Sequence, residues 1–134
     1  MLGELRRLHA EILANVDELD VLTAQAQPPM ERLPAVRQAL TRASRARTML
    51  LERVYDRLLA EAPPAKKPAL EALRAAGKDG LITSTRHIGS WTLREIAGRW
   101  PDYCAASATM RAAMRARIKS EAELIYPLLP NDAG

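Results

Sequence analysis

The sequence predicts an all-α protein: an up-down-up-down four-helix bundle with a short extra helix before the last long one. Three observations predict it. Apolar residues recur at spacings of three and four through most of the chain, and no stretch alternates with a period of two. Prolines, several in pairs, divide the chain into long blocks with short connections. Ala and Leu, both strong helix formers, dominate a composition with no Phe and only 4% aromatic residues. The core is therefore expected to be aliphatic.

The first helix is expected over residues 2–26. Leu5, Leu8, Ile12, Val16, Leu19 and Leu22 form one face of it, and Pro28-Pro29 close it. Pro34 suits the first turn of a second helix over 31–61, where a missing N–H costs nothing. Its apolar side is Val36, Leu40, Ala43, Leu50, Leu51, Val54 and Leu58, and Pro63-Pro64 end it. A third helix is expected from Pro68 to Ser90, with Leu70, Leu73, Leu81, Ser84 and Ile88 inward. Gly77 and Gly80 interrupt it, and each costs a helix about 1 kcal/mol relative to Ala. They mark either a break or a close-packed seam, within the bundle or between subunits. Thr92-Leu93-Arg94-Glu95 reads as a capping box opening the short helix. Pro101-Asp102 restarts the chain, a last helix runs over 102–126, and Pro127 and Pro130 stop it.

The 134 residues suffice for a single domain with its own core, spanning 1–134. No run of about 18 apolar residues is present, so no membrane span is expected. The N-terminus is amphipathic and charged from Glu4 to Arg7 and lacks the apolar stretch of a signal peptide. The expected location is the cytoplasm. The single cysteine, Cys104, excludes an intrachain disulfide and reads as a small apolar residue near a helix start. Net charge is +4, from 20 basic and 16 acidic residues spread over every segment. Arg42, Arg45, Arg53 and Arg57 cluster on the second helix, where a solvated face accounts for them. No nucleic-acid motif accompanies them, and aromatics are too few for base-stacking platforms. Neither nucleic acid nor a membrane is expected as partner. Phosphate-cradling Gly-rich loops, Cys-x-x-Cys pairs and nucleophile elbows are also missing.

Four polar residues violate the apolar faces. His9 lies within about 40° of Leu5 and Ile12 at about 100° per residue. Arg47 falls between Leu40, Ala43, Leu50 and Val54. Arg117 and Glu121 lie near the centre of the face set by Met110, Met114, Leu124 and Leu128. Such departures are where function or a compensated buried network should be sought. Arg117 and Glu121 are spaced i, i+4, so they can meet on one helix face. The four are expected either to form an ionic cluster inside the bundle or, for the arginines, to carry their heads along the helices to solvent.

The last helix, Arg117-Ile118-Lys119-Ser120-Glu121-Ala122-Glu123-Leu124-Ile125-Tyr126-Pro127-Leu128-Leu129, resembles the final helix of hemerythrin-like (HHE cation-binding) proteins. That signature has a His, paired acids, an aliphatic, an aromatic and a Pro-Leu-Leu ending. Here Arg117 stands at the His position. Leu8-His9-Ala10-Glu11-Ile12-Leu13 resembles the family's first-helix segment, with His9 at a ligand position. The stretch Arg47 to Tyr55 resembles the second-helix segment, but Arg47 or Ala46 replaces its His, and Leu51 or Leu50 its ligand Glu. In helix three His87 has Trp91 four residues on, where a second His belongs. The resemblance implies a di-iron centre built from several histidines and bridging carboxylates. The chain holds two histidines in total, so one subunit cannot assemble it, and guanidiniums beside the site would repel a dication.

The expectation is therefore a degenerate member of that family with no cofactor and no catalytic residue. It would be a non-catalytic regulatory or interaction module with an unidentified protein partner, or a second copy of the chain in a homodimer. His9 and Glu121 are the residual candidates for a metal completed by water. The alternatives are an iron- or oxygen-binding sensor with a reduced site and, on His87, a histidine phosphotransfer bundle. Trp91, Trp100, Tyr103 and Tyr126 read as core or rim aromatics, Tyr126 packing at the bundle's end.

Overall fold

A computed structural model of the chain describes residues 1–131. Within them the protein is all-helical, with no strand. Five α-helices follow in order: α1 (Leu2–Thr23), α2 (Leu33–Glu61), α3 (Lys67–Ser90), α4 (Leu93–Gly98) and α5 (Trp100–Ile125). Single 3-10 turns precede α3 (Pro64–Lys66) and follow α5 (Tyr126–Leu128). Among the described residues no helix is long and apolar enough to cross a membrane.

The prolines act as the sequence predicts. Pro34, Pro68 and Pro101 each occupy the first turn of a helix, where their fixed φ fits and no N–H is needed. Thr92 caps α4, its hydroxyl accepting from the Glu95 N–H at 3.2 Å. Only half of the capping box forms, because the Glu95 carboxylate turns to Arg99 instead, at 3.5 Å. α3 runs unbroken through Gly77 and Gly80, so the expected alternative of a break is excluded.

Side-chain pairings fix how the long helices neighbour one another. Glu18 meets Arg32 and Glu4 meets Arg53, so α1 and α2 run antiparallel. Arg74 reaches Glu52 and Arg37 reaches the Trp91 carbonyl, which sets α2 against α3 in the same sense. Gly80 lies against Arg117 and His87 against Tyr103, so α3 and α5 are antiparallel. Cys104 approaches Thr23 and Glu121 approaches His9, which does the same for α5 and α1.

Three apolar clusters lie along these contacts. One joins Leu5, Leu8, Leu50, Val54, Leu70 and Ile125. A middle one joins Ile12, Val16, Ala43, Met114 and Ile118. The third, beside α4, holds Leu19, Leu22, Leu33, Ile96 and an aromatic group in which Tyr103 is stacked on Trp100 and meets Trp91 edge-on. At about 25 cal/mol per Å² of apolar surface removed from water, these clusters are the main force holding the helices together.

The inward face of α3 differs from the expected one. Leu70 and Gly80 are its buried residues, whereas Leu81 (47% exposed) and Ile88 (44%) face solvent together with Ile82. The helix seats on the side of Gly80, Ser84 and His87, because Arg117 requires the space beside Gly80 and Tyr103 offers a ring to His87. Gly77 has nothing within 4 Å of the place a Cβ would occupy, so of the two glycines only Gly80 belongs to a close-packed seam.

Candidate functional site

Between the first and middle apolar clusters, four elements bring ionisable groups together. α1 supplies His9, α2 supplies Arg47 and Tyr55, α5 supplies Arg117 and Glu121, and the turn after α5 supplies Tyr126. Each helix delivers its group on its apolar face: His9 follows Leu8, Arg47 falls between Ala43 and Leu50, and Glu121 lies one turn before Ile125.

Glu121 is the centre of the arrangement and is 1% exposed. Its Oε1 lies 2.8 Å from His9 Nε2 and 3.8 Å from Arg47 Nε. A carboxylate only accepts, so His9 Nε2–H donates to it. In the neutral ring Nδ1 then carries the lone pair and accepts from the Tyr126 hydroxyl at 2.5 Å. Both nitrogens of His9 are thereby committed. Arg47 is buried as deeply as His9, yet its Nε and Nη1 find no hydrogen-bond partner among the described side chains. Its charge is offset by the ion pair with Glu121 without the geometry of a hydrogen bond.

Arg117 stands apart from its expected partner. It is half-buried and makes no ion pair with Glu121; its guanidinium lies over Gly80 of α3, in the space a side chain there would fill. Burial first, and Arg47 second, pull its pKa down, with Glu121 and Tyr55 acting the other way. The i, i+4 spacing allows an Arg117–Glu121 pair, but the Arg117 guanidinium turns to the space over Gly80 instead. Of the expected four-residue cluster, His9 and Arg47 both meet Glu121, while Arg117 is displaced to the α3 seam.

Two aromatic members were not singled out from the sequence. Tyr126 was expected only to pack, and it bonds His9 while Arg6 stands 5.0 Å above its ring. Burial raises its pKa, and so does Glu121, while Arg6 lowers it. Tyr55 is buried beside the cluster, and burial, then the Glu121 charge, push its phenol well above the usual range. Periodicity gave a signal for Tyr55, one residue after Val54, but none for Tyr126, where the chain has left the α-helix.

A second polar seam joins α1 to α5. Arg111, buried, lies 2.8 Å from Asp20 and donates to Ser107 at 2.5 Å. Arg115 donates to Asp17 at 2.7 Å and to Asp20. The Asp20 pKa is held down chiefly by its bond from Arg115.

The other singled-out residues lie elsewhere. His87 is half-buried, stacked on Tyr103 with ring centroids 6.0 Å apart, on the packed side of α3. Burial, then Arg37, lower its pKa. Cys104 is partly covered, its thiol 3.5 Å from the Thr23 carbonyl, and burial raises its pKa. That is the opposite of what a reactive thiol requires. Arg42, Arg45, Arg53 and Arg57 are exposed on α2.

The metal that the family resemblance implies does not fit the residues present. A histidine ligand must offer a free nitrogen lone pair, and both His9 nitrogens have partners. Among the described residues, the carboxylate within reach of His9 is that of Glu121, and it also faces a guanidinium, which can neither ligate nor lose its charge. Among the described residues no group of three or more His, Cys, Asp or Glu is placed to hold an ion. No family model, curated protein or solved structure matches the chain.

Proposed function

We propose that the protein is a degenerate, metal-free relative of the hemerythrin-like proteins: a cytoplasmic, non-catalytic helical module that regulates or binds another protein. In this reading α1, α2, α3 and α5 close into an up-down-up-down four-helix bundle, with α4 as an insertion. The four antiparallel pairings α1–α2, α2–α3, α3–α5 and α5–α1 support that arrangement. The observation that carries the functional reading is the state of Glu121. At a position where the resemblance implies a ligand acid, it is buried between His9 and Arg47, accepting from the first and facing the charge of the second. An interior arranged to neutralise a guanidinium is one from which a dication is repelled. The interaction role is supported by Leu81, Ile82 and Ile88, which α3 leaves exposed beside its packed side. A protein partner or a second copy of the chain would cover them.

Metal analysis of protein produced with iron supplementation, read with its visible spectrum, tests the reading. Near-zero bound iron and no charge-transfer band are expected. About one equivalent of iron or more, with such a band, would replace the module with a reduced-site iron or oxygen sensor.

A further inference from the structure

α1 and α5 form an open groove of about 410 Å³ on the outer side of the buried cluster. The size falls within the range of small-molecule sites. Its walls are nearly all apolar: Ala10 and Leu13 from α1, Ile118 and Ala122 from α5. The short side chains Ala10 and Ala122 are what keeps the groove open where two helices of larger residues would close over it. Tyr126 and His9 form its inner end, the same pair whose hydroxyl and ring nitrogen are bonded at 2.5 Å.

The charges around this groove are of one sign. Arg6, Arg115 and Lys119 line it, and no acidic residue does. Arg115 is already neutralised by Asp17 and Asp20. Arg6 and Lys119 are not: both are exposed, neither has an ion pair among the described residues, and Arg6 is held over the Tyr126 ring. Two cations with no ion pair among the described residues therefore line an apolar trough, one of them over the tyrosine at its end. A purely apolar ligand would leave those cations unused, and a small inorganic anion would leave the trough in contact with water.

We propose that this groove binds an organic carboxylate with an apolar body, its carboxylate drawn by the Arg6 and Lys119 cations that line the groove and its chain along Ala10, Ile118 and Ala122. The site opens outside the buried cluster, shares only His9 and Tyr126 with it, and does not depend on whether that cluster holds a metal. Tyr126 links the two, since a ligand against its ring also bears on the hydroxyl that His9 accepts from. The groove is thus placed to pass a binding event to His9 and Glu121.

Decanoate is a suitable probe, titrated into ¹⁵N-labelled protein with decanol and inorganic phosphate as separate arms. Saturable shifts centred on the Ala10 and Ala122 amides, with a Kd on the order of 0.1–1 mM, are expected for decanoate. Decanol and phosphate should each bind at least about tenfold more weakly, because each engages half of the site. Lys119→Glu and Arg6→Glu, both at exposed positions, should each weaken decanoate about three- to tenfold. Ala122→Trp, checked for native helicity by circular dichroism, should abolish binding by filling the trough. Absence of saturable decanoate binding overturns the proposal. So does decanol binding as tightly as decanoate, or decanoate binding unchanged in Lys119→Glu and Arg6→Glu.

Discussion

Replacing Glu121 by Gln removes one charge from the interior and almost no volume. The carboxylate is 1% exposed and lies 3.8 Å from Arg47 Nε. At an effective dielectric of about 20, that separation corresponds to about 4 kcal/mol of attraction before desolvation is counted. Removing one partner of a buried pair typically costs about 3–5 kcal/mol, since the remaining charge is buried without compensation. Here the remainder is worse than one charge: Arg47 and the half-buried Arg117 would share the region with no anion between them. Glu121→Gln is therefore expected to lower unfolding free energy by about 3 kcal/mol or more, equivalent to roughly 10 °C in Tm for a chain of this size. Urea unfolding followed by far-UV circular dichroism measures it, with an unchanged slope showing that the comparison is valid. The companion variant Arg47→Met/Glu121→Met replaces both charges by apolar groups. It should regain most or all of the loss, because a buried ion pair is often no better than a well-packed apolar pair. A Glu121→Gln cost within about 0.5 kcal/mol, the size of an ordinary surface change, would refute the reasoning. So would a double variant no more stable than the single one.

Two further outcomes follow from α3. Gly77→Ala meets open space and should stabilise the protein by about 0.5–1 kcal/mol in thermal unfolding, the helix-propensity difference. Gly80→Ala gains the same propensity but displaces the Arg117 guanidinium, so it should be net destabilising, and adding Arg117→Ala should restore part of the difference; equal effects at both glycines would show that Arg117 does not rest there. His87 makes stability depend on pH with a defined sign. Burial and Arg37 hold its folded pKa below the ordinary 6.5, so the unfolded chain takes up the proton first as pH falls. Its stability contribution is complete above about pH 6.5 and declines as pH drops through that value toward the lower folded one. Urea midpoints from about pH 7.5 to 5 should fall less steeply in His87→Gln than in the parent, and parallel curves would contradict this.

Much of the helical layout was legible because its signals are local. Pro34, Pro68 and Pro101 set helix starts, and Thr92 set a cap, through backbone chemistry that needs no tertiary partner. The inward placement of His9, Arg47 and Glu121 was legible from angle alone, since each sits among Leu, Ile or Val at helical spacing. The face of α3 was not. Hydropathy favours Leu81 and Ile88 as inward, but the helix turns toward Gly80 and His87. What decides is the absence of a side chain at Gly80 and a ring at Tyr103, properties of the neighbouring helix as much as of α3. Tyr126 was unreadable for another reason. Beyond Ile125 the backbone tightens into a 3-10 turn, and the 100° rule that placed Glu121 no longer places the residue five positions on. The Arg111–Asp20 pair was hidden because each residue taken alone looks like an ordinary helix-surface charge.

Gly80 and Arg117 are best understood as one device, and the charge count explains why. Two guanidiniums enter the region from α2 and α5, and one buried carboxylate is there to receive them. His9 and Arg47 already meet Glu121 at Oε1, and a second guanidinium brought to the same carboxylate would also be brought close to Arg47. Arg47 cannot leave, because the middle of α2 is enclosed by Ala43, Leu50 and Val54. Arg117 can, because its longer path across α5 leads to α3, and α3 presents a glycine at the point where the guanidinium arrives. Any larger residue at position 80 would push the head back toward Arg47 or out into water. The glycine therefore lowers the repulsion within the cluster by giving the second cation somewhere else to lie. On this argument the helix accepts the propensity cost of about 1 kcal/mol at position 80 because the alternative is a second uncompensated charge in the interior, which costs more.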